Sequence, residues 1–414
     1  MRILFLVHRS MPYHGGSERY VWEHAVAAVR EGHSVTVATT DAWDMSWLVS
    51  RKGRRLPAGR SVISGVELIR FPVAHPPAQN LLRAVFRRIR PGGKDRFYYP
   101  NPFIPALDRW IRSSGSRFDI VHANAMPFLL YAGYRLASSA GIPLVSVPHA
   151  NIGSADHRIL PMKYFSGMQP EILRQSALVV AQNRFEASVY VDECGVDPRR
   201  IMPGGSGIDP EEWEDADGQA ARKALSLSPF SKIVLSMTAH CRDKGSFSLL
   251  DASVKLWQEG ADFTLVLAGP VMDDFREKLN SVSSVIPDGR LVVTGYLPER
   301  LRKDLFKAAD IVAAPSRLDA FGIVLLDGWM GGSPVIGCRS GGMPDIIDHE
   351  KNGFLVNFGD WEDIAAKLKE LLENHSLASS MAACGRKKTM ENYTWEKVTS
   401  KLFHRLEEDG LWKG

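Results

Sequence analysis

Short runs rich in β-branched residues recur along the chain with room for a helix between them. They are "ILFLV" from Ile3, "VTVAT" from Val35, "DIVHA" from Asp119, "PLVSV" from Pro143 and "ALVVA" from Ala177. Stretches of helical period separate several of them, Glu18 to Arg30 and Phe185 to Cys194 among them. The pattern restarts after "MPGGSGIDPEEWEDADG", residues 202–218, whose Gly, Pro and acid content reads as loop or linker. It then runs through "KIVLSM", "FTLVLAG", "RLVVTG", "DIVAAP" and "PVIG", the last beginning at Pro334. Strands that are almost continuously apolar, with helices between them, belong to parallel sheets covered on both faces. The expected fold class is therefore α/β: two doubly wound, Rossmann-like domains, residues 1–205 and 206–394. Such sheets bind ligands outside the carboxyl ends of their strands, and two of them facing each other make a cleft. Residues that directly follow strands are the ones to inspect.

The length agrees, since 414 residues exceed one comfortable core. Apolar residues at 45% and charged residues at 24% are ordinary for a globular chain, which excludes fibrous and low-complexity classes. The opening apolar run, Ile3 to Val7, gives way at once to His8 and Arg9, too short for a signal-peptide core or a membrane span. The expectation is a soluble, cytoplasmic protein. Four scattered cysteines, Cys194, Cys241, Cys338 and Cys384, form no C-x-x-C pair and suggest neither zinc nor disulfides, but small apolar fillers. The net charge of +4 is unevenly spread: residues 1–205 hold 26 Lys and Arg against 15 Asp and Glu, and the remainder 25 against 32. The first half favours anionic surroundings.

After the first strand, Gly15-Gly16 stands between strand and helix, where the backbone can approach a ligand and free N–H groups suit a phosphate or a sugar. A purely structural turn explains the pair equally well, and Glu18 in the first helical turn complements the helix dipole. His149 follows "PLVSV" directly and His122 follows "DIV", which places both at the cleft mouth or makes both ordinary hydrogen-bonded histidines. Lys244-Gly245 follows "KIVLSM" and opens a helix at about Ser246. That lysine either pairs with a diphosphate as a point charge or is a solvated loop residue. A second glycine pair, Gly341-Gly342, follows "PVIG".

The most informative stretch is "PSRLDAFGIVLLDGWMGGSPVIG", with Asp319 and Asp327 eight positions apart. Asp319 lies in the loop after a strand, and "IVLLDGWM" begins a helix apolar enough to be buried. The backbone N–H groups of Phe321, Gly322, Ile323 and Val324 then offer the positive end of a helix to a phosphate. The two carboxylates flank that point and can accept hydrogen bonds from sugar or ribose hydroxyls. The plain reading is a helix cap and an incidental acid.

Together these stretches resemble the retaining, nucleotide-sugar-dependent glycosyltransferases called family 4, with the glycosyltransferase-B fold, over nearly the whole chain. The family's "P-x-x-G-G-x-E-R" is similar to Pro12 to Arg19, its "D-[IV]-[IV]-H-x-[HN]" to Asp119 to Asn124, and its post-strand histidine to His149. Its "[PN]-x-G-[VI]-D" resembles Gly205 to Asp209, its "K-G" Lys244-Gly245, its "G-G-x-P-E" Gly341 to Asp345, and its "[FY]-[ST]-W" Tyr393 to Trp395. The family's "E-x7-E" around Phe-Gly aligns with Asp319 and Asp327. Three family glutamates are thus aspartates here, at 319, 327 and 345, each shorter in reach by ~1.5 Å. The family's arginine before the lysine is replaced by Thr238 or Ala239, which leaves Arg242 to supply the charge.

The resemblance implies that a last helix, 395–414, crosses back onto the first domain. It also implies a donor site of Gly15, Gly16, Arg242, Lys244, Asp319, Phe321 to Val324 and Asp327, with Asp319 on the transferred sugar and Asp327 on the ribose. Catalytic roles fall to His149, Lys244 and Asp319, and acceptor contacts to Glu18, His122 and Asn124. Lys244 and the helix start would stabilise the departing diphosphate, with no cofactor and no divalent metal. The one compact D-x-D, Asp215 to Asp217, falls in the inferred linker and is not read as a metal site.

The expected reaction moves a hexose-type sugar from a UDP- or GDP-sugar to a glycan or lipid-linked acceptor. Residues 81–99 carry six basic residues among apolar and aromatic ones, either a surface that rests on an anionic membrane or an exposed basic face over a core. Rival readings are a nucleotide-sugar-modifying enzyme of the same fold and a non-catalytic homologue that binds a nucleotide sugar or glycan. Nucleic-acid binding is not expected, because no recognition helix or aromatic stacking motif accompanies the basic residues.

Overall fold

The structure is a computed structural model that describes residues 1–12, 15–76, 102–114, 117–126, 128–150, 152–154, 157–158 and 168–411. The basic stretch 81–99 lies outside the described residues. Contacts divide the chain into two compact units: Met1–Ala150, Leu160–Gly205 and Val398–Gly414 form one, Asn151–Ile159 and Ser206–Lys397 the other.

The first unit is built on eight strands: β1 (Arg2–Leu6), β2 (Ser34–Thr40), β3 (Gly59–Ile63), β4 (Val66–Phe71), β5 (Ile120–Asn124), β6 (Leu144–Val147), β9 (Leu178–Ala181) and β10 (Ile201–Pro203). Two-residue strands β7 (Gly153–Ser154) and β8 (His157–Arg158) pair antiparallel between β6 and β9 in sequence. The sheet order is β10-β9-β6-β5-β1-β2-β4-β3. All its pairs are parallel except β3 with β4. The central strands are buried along almost their whole length because both faces are covered. Leu4, Leu6, Val121 and Ala123 join one core with Leu130 and Leu136 of the helix Leu130–Ala140. That helix sits close to the sheet at Gly133, where a Cβ would come within 2.6 Å of Ala123 Cβ.

The second unit has six strands, all parallel: β11 (Lys232–Met237), β12 (Phe263–Ala268), β13 (Leu291–Gly295), β14 (Ile311–Ala314), β15 (Val335–Cys338) and β16 (Gly353–Val356). Their order is β13-β12-β11-β14-β15-β16. Chain order reverses between β11 and β14, so the loops after these two strands flank the switch point where doubly wound sheets bind ligands. Lys244 follows β11 and Asp319 follows β14. In the first sheet the reversal falls at β1, between β2 and β5.

Residues 202–218, read as loop or linker, carry more order than that. Gly207 packs on Trp395 of its own unit, where a Cβ would come within 2.7 Å of Trp395 N, and Ile208 bridges to Thr394. Asp217 caps the helix Gly218–Ala224 by accepting from the Gln219 and Ala220 N–H groups. The D-x-D stretch therefore spends its second acid on a helix start. The last helix, Trp395–Glu408, counts with the first unit from Val398 on. All four cysteines are free: Cys194 and Cys338 are buried, which pushes both thiols up to about 12, but Cys384 is exposed and is no core filler. Among the described residues no helix is long and apolar enough to cross a membrane.

Candidate active site

In the second unit the loops after β11 and β14 are stitched together. The Arg317 N–H donates to the Asp243 carbonyl at 3.0 Å, and its guanidinium pairs with the Asp243 carboxylate at 2.5 Å. Gly245 has φ +72° and touches Pro315 so closely that a Cβ would overlap the Pro315 carbonyl. Only glycine meets both demands cheaply. This contact brings Lys244 against the far loop: its Nζ donates to the Leu318 carbonyl at 2.6 Å and pairs with Asp319 at 3.3 Å. Both side chains stay about one quarter exposed, so the pair is fixed yet reachable by a ligand. Gly341 and Gly342 brace the same loop from the other side, where Cβ atoms would overlap the Asp319 and Ala320 carbonyls.

The helix Ile323–Gly331 starts immediately after, with Gly322 as N-cap at φ +99° and no side-chain cap. Its first N–H groups and the positive end of its dipole follow closely on Asp319 in sequence, suited to anionic oxygen. Phe321 is buried and meets Tyr393 edge-on at 5.6 Å, which explains why the "Tyr-Thr-Trp" stretch matters to this loop. Asp327 is buried, and Arg302 from the helix Glu299–Ala308 pairs with it at 2.7 Å while also bonding Glu299. A charge-assisted bond to a guanidinium fixes the orientation of a buried carboxylate. Arg242 is not part of the Lys244–Asp319 pair; it is exposed, its guanidinium 4.2 Å from the Phe247 ring centre. Arg317 is the arginine that orders these loops, and no pattern in the sequence marked it.

The first unit gathers a different set. Gly15 is the N-cap of the helix Gly16–Arg30, and a Cβ at Gly16 would meet nothing within 4 Å, so packing among the described residues does not require glycine there. Glu18, only 2% exposed, holds His8 Nε2 at 3.1 Å and Arg9 Nε at 2.9 Å through one oxygen and accepts from Ser17 Oγ at 2.9 Å through the other. Burial pushes its pKa up, but the His8 hydrogen bond and the charges of His8 and Arg9 outweigh that and hold it at about 2. Glu18 therefore orders His8 and Arg9; the expected acceptor contact through its carboxylate finds both oxygens already engaged.

His149 comes just after β6 with φ +51°, a left-handed conformation that costs a non-glycine residue on the order of 1 kcal/mol or more. Its ring meets Tyr20 edge-on at 5.0 Å, and its Nε2 is buried without a hydrogen-bond partner among the described residues. Burial lowers its pKa, Glu18 raises it and His8 lowers it again, with a result of about 4. The imidazole is neutral at pH 7. Next to it, the Ala150 N–H donates to Glu186, a wholly buried carboxylate that burial pushes up to about 7 against hydrogen bonds from Tyr190, Gln182 and Ala150.

His122 is not at a strand mouth. It lies inside β5, 1% exposed, in register with Phe5 and 4.7 Å from its ring, and burial lowers its pKa to about 3. Strand alternation turns it into the layer under the sheet, so the expected acceptor contact has no route to it. Asn124 ends β5, is fully buried, and donates to the His122 carbonyl at 3.3 Å. The structure thus brings Lys244, Asp319 and the Ile323 helix start together in one unit, and His149 with Glu18 in the other. His8, Arg9, Glu186, Arg302 and Arg317 emerge only from the fold.

Comparison with known proteins follows the same division. Residues 218–388 match the family model described as glycosyl transferases group 1, and residues 14–212 match the one described as glycosyltransferase family 4. The chain is 25% identical over 413 residues to the D-inositol 3-phosphate glycosyltransferase of Saccharomonospora viridis, covering 94% of each chain. It is 24% identical over 332 residues to the sulfoquinovosyl transferase SQD2 of Arabidopsis thaliana, covering 76% of this chain and 62% of that one. Among solved structures, Anabaena HepE in complex with UDP-glucose aligns with TM-score 0.74 at 18% identity, covering 99% and 100% of the two chains. WaaG, described as a glycosyltransferase involved in lipopolysaccharide biosynthesis, aligns with TM-score 0.66 at 16% identity over 97% and 98%. At these identities the structural likeness speaks for the fold.

The Glu18 cluster carries a pH signature. A depressed carboxyl stabilises the fold fully above its unfolded value near 4.5, and that contribution is lost as pH falls toward 2. Glu18→Gln is expected to cost about 2–4 kcal/mol at pH 7. In urea titrations the gap between the two proteins should shrink by roughly half between pH 6 and pH 3. A gap that does not change with pH would contradict the ion-pair account.

Proposed function

The chain belongs to the group 1 and family 4 glycosyltransferases, and from that premise we propose that it moves a hexose-type sugar from a UDP- or GDP-sugar to a glycan or lipid-linked acceptor, with retention and without a metal. The observation that carries the reading is the Lys244–Asp319 pair next to the uncapped start of the helix Ile323–Gly331, at the switch point of a parallel sheet. Lys244 and the helix N–H groups compensate the charge that develops on the leaving diphosphate. Asp319 accepts hydrogen bonds from the transferred sugar. Asp327, held by Arg302, takes the ribose hydroxyls.

His149, neutral at working pH, positions the transferred sugar and supports the reacting centre; the leaving phosphate takes the acceptor's proton. Relatives support the chemistry in kind: their names state transfer to inositol phosphate and of sulfoquinovose, and solved neighbours hold UDP-glucose or a fluorinated UDP-glucose. The basic residues 81–99 favour an anionic membrane surface as the place where the acceptor is met, on the cytoplasmic side.

Incubation with a panel of UDP- and GDP-sugars should release nucleotide from one donor at a rate that EDTA leaves unchanged. Lys244→Met is expected to lower kcat about 10²–10³-fold. His149→Ala should lose most turnover and keep part of the donor affinity. Loss of activity in EDTA that Mg²⁺ restores, or full activity of either variant, would contradict the mechanism. The membrane reading is checked separately, by sedimentation with phosphatidylglycerol vesicles: binding at low salt that fades as salt rises is expected, and none at low salt would sink it.

A further inference from the structure

Glu186 has a local duty that accounts for part of its geometry. It stands three residues after Asn183, the N-cap of the helix Arg184–Asp192, whose side chain accepts from the Glu186 N–H at 2.7 Å. In a simple capping box the acid at this position would reach back to the N-cap's own amide. Here the carboxylate goes elsewhere. One oxygen accepts the Gln182 N–H at 2.7 Å, and the other accepts the Ala150 N–H at 3.3 Å, from a segment 36 residues earlier. The Tyr190 hydroxyl, one turn along the helix, donates to that second oxygen as well. Among the described residues no arginine or lysine is paired with it, and the side chain is 0% exposed. Burying a carboxylate in this way costs stability, and capping alone would be served by an exposed acid.

The backbone that Glu186 grips is the one that needs gripping. Ala150 directly follows His149, whose φ of +51° is held against its intrinsic preference. An N–H anchored at Ala150 fixes the peptide between residues 149 and 150, and with it the direction in which the imidazole leaves the chain. Strained conformations persist where the surroundings over-determine them.

We propose that Glu186 is a positioning residue for His149: its buried carboxylate clamps the Ala150 N–H to the Gln182 N–H and so locks the left-handed turn that presents the imidazole. This rests on the reading of His149 as part of a glycosyl-transfer site. Glu186 acts through the backbone and touches no substrate.

The test uses the full chain. Glu186→Gln keeps the shape and one acceptor oxygen, but its NH2 group faces one of the two N–H donors. Hydrogen exchange at the Ala150 amide should quicken by about tenfold or more. Turnover with the active donor should fall on the order of tenfold in kcat, with donor KM nearly unchanged, because geometry and not affinity is lost. In the His149→Ala background the same substitution should cause no further fall. Exchange at Ala150 unchanged, or equal losses with and without His149, would overturn the proposal and leave Glu186 a structural acid. Should Glu186→Gln fail to fold, Glu186→Asp goes through the same cycle, its reach shortened by ~1.5 Å. A wild-type chain that turns over no donor overturns the proposed function and the positioning role with it. An active wild type with an additive cycle overturns the positioning role alone.

Discussion

The candidate donor site depends on how closely two loops approach at the switch point of the second sheet. Gly245, with positive φ and no room for a Cβ against Pro315, lets the turn after β11 touch the end of β14. Arg317 then ties the second loop to Asp243. Only with that spacing does Lys244 reach both the Leu318 carbonyl and Asp319, and only then is a cation fixed on the loop that leads into a helix start. Fixed charges of this kind need no reorganisation when a diphosphate develops charge. Gly341 and Gly342 press on the backbone of the Asp319 loop, so three separated stretches meet at one loop.

The first unit solves a different problem, that of keeping polar groups ordered in a nearly dry place. Glu18 is buried, yet His8 and Arg9 keep it ionised, and the charges of Glu18 and His8 bear in turn on His149. Desolvation around the buried Nε2 keeps His149 neutral at neutral pH, which suits a positioning group better than a general base. Charge is therefore concentrated on Glu18 and Arg9, while the imidazole stays neutral.

Much of this was legible in the sequence, for physical reasons that also mark where legibility ends. Parallel strands buried on both faces read as apolar runs, so the two α/β units and the places of Lys244, Asp319 and His149 after strands could be read directly. His122 could not, because "DIVHAN" does not show that the strand continues to Asn124 and turns the histidine inward. Arg302 meets Asp327 from 25 residues away, and Arg317 meets Asp243 across 74. Neither spacing belongs to a helix or strand period, so only the fold pairs them. Glu186 looked like one more residue of a helix, since its partner Ala150 lies in the segment after β6, 36 residues earlier. The aspartates at 319, 327 and 345 read only as acids of shorter reach than the family's glutamates; at Asp327 the structure shows the shorter acid engaged by Arg302.

The central claim is that the second unit recognises a nucleoside diphosphate through Lys244 and the start of the Ile323 helix. Calorimetric titration of UDP and GDP against uridine and guanosine addresses it most directly, with the wild-type chain beside Lys244→Met. One diphosphate is expected to bind at least about tenfold more tightly than its nucleoside, and Lys244→Met is expected to remove most of that difference. Equal affinities for nucleotide and nucleoside, or a diphosphate preference that Lys244→Met leaves intact, would contradict the account.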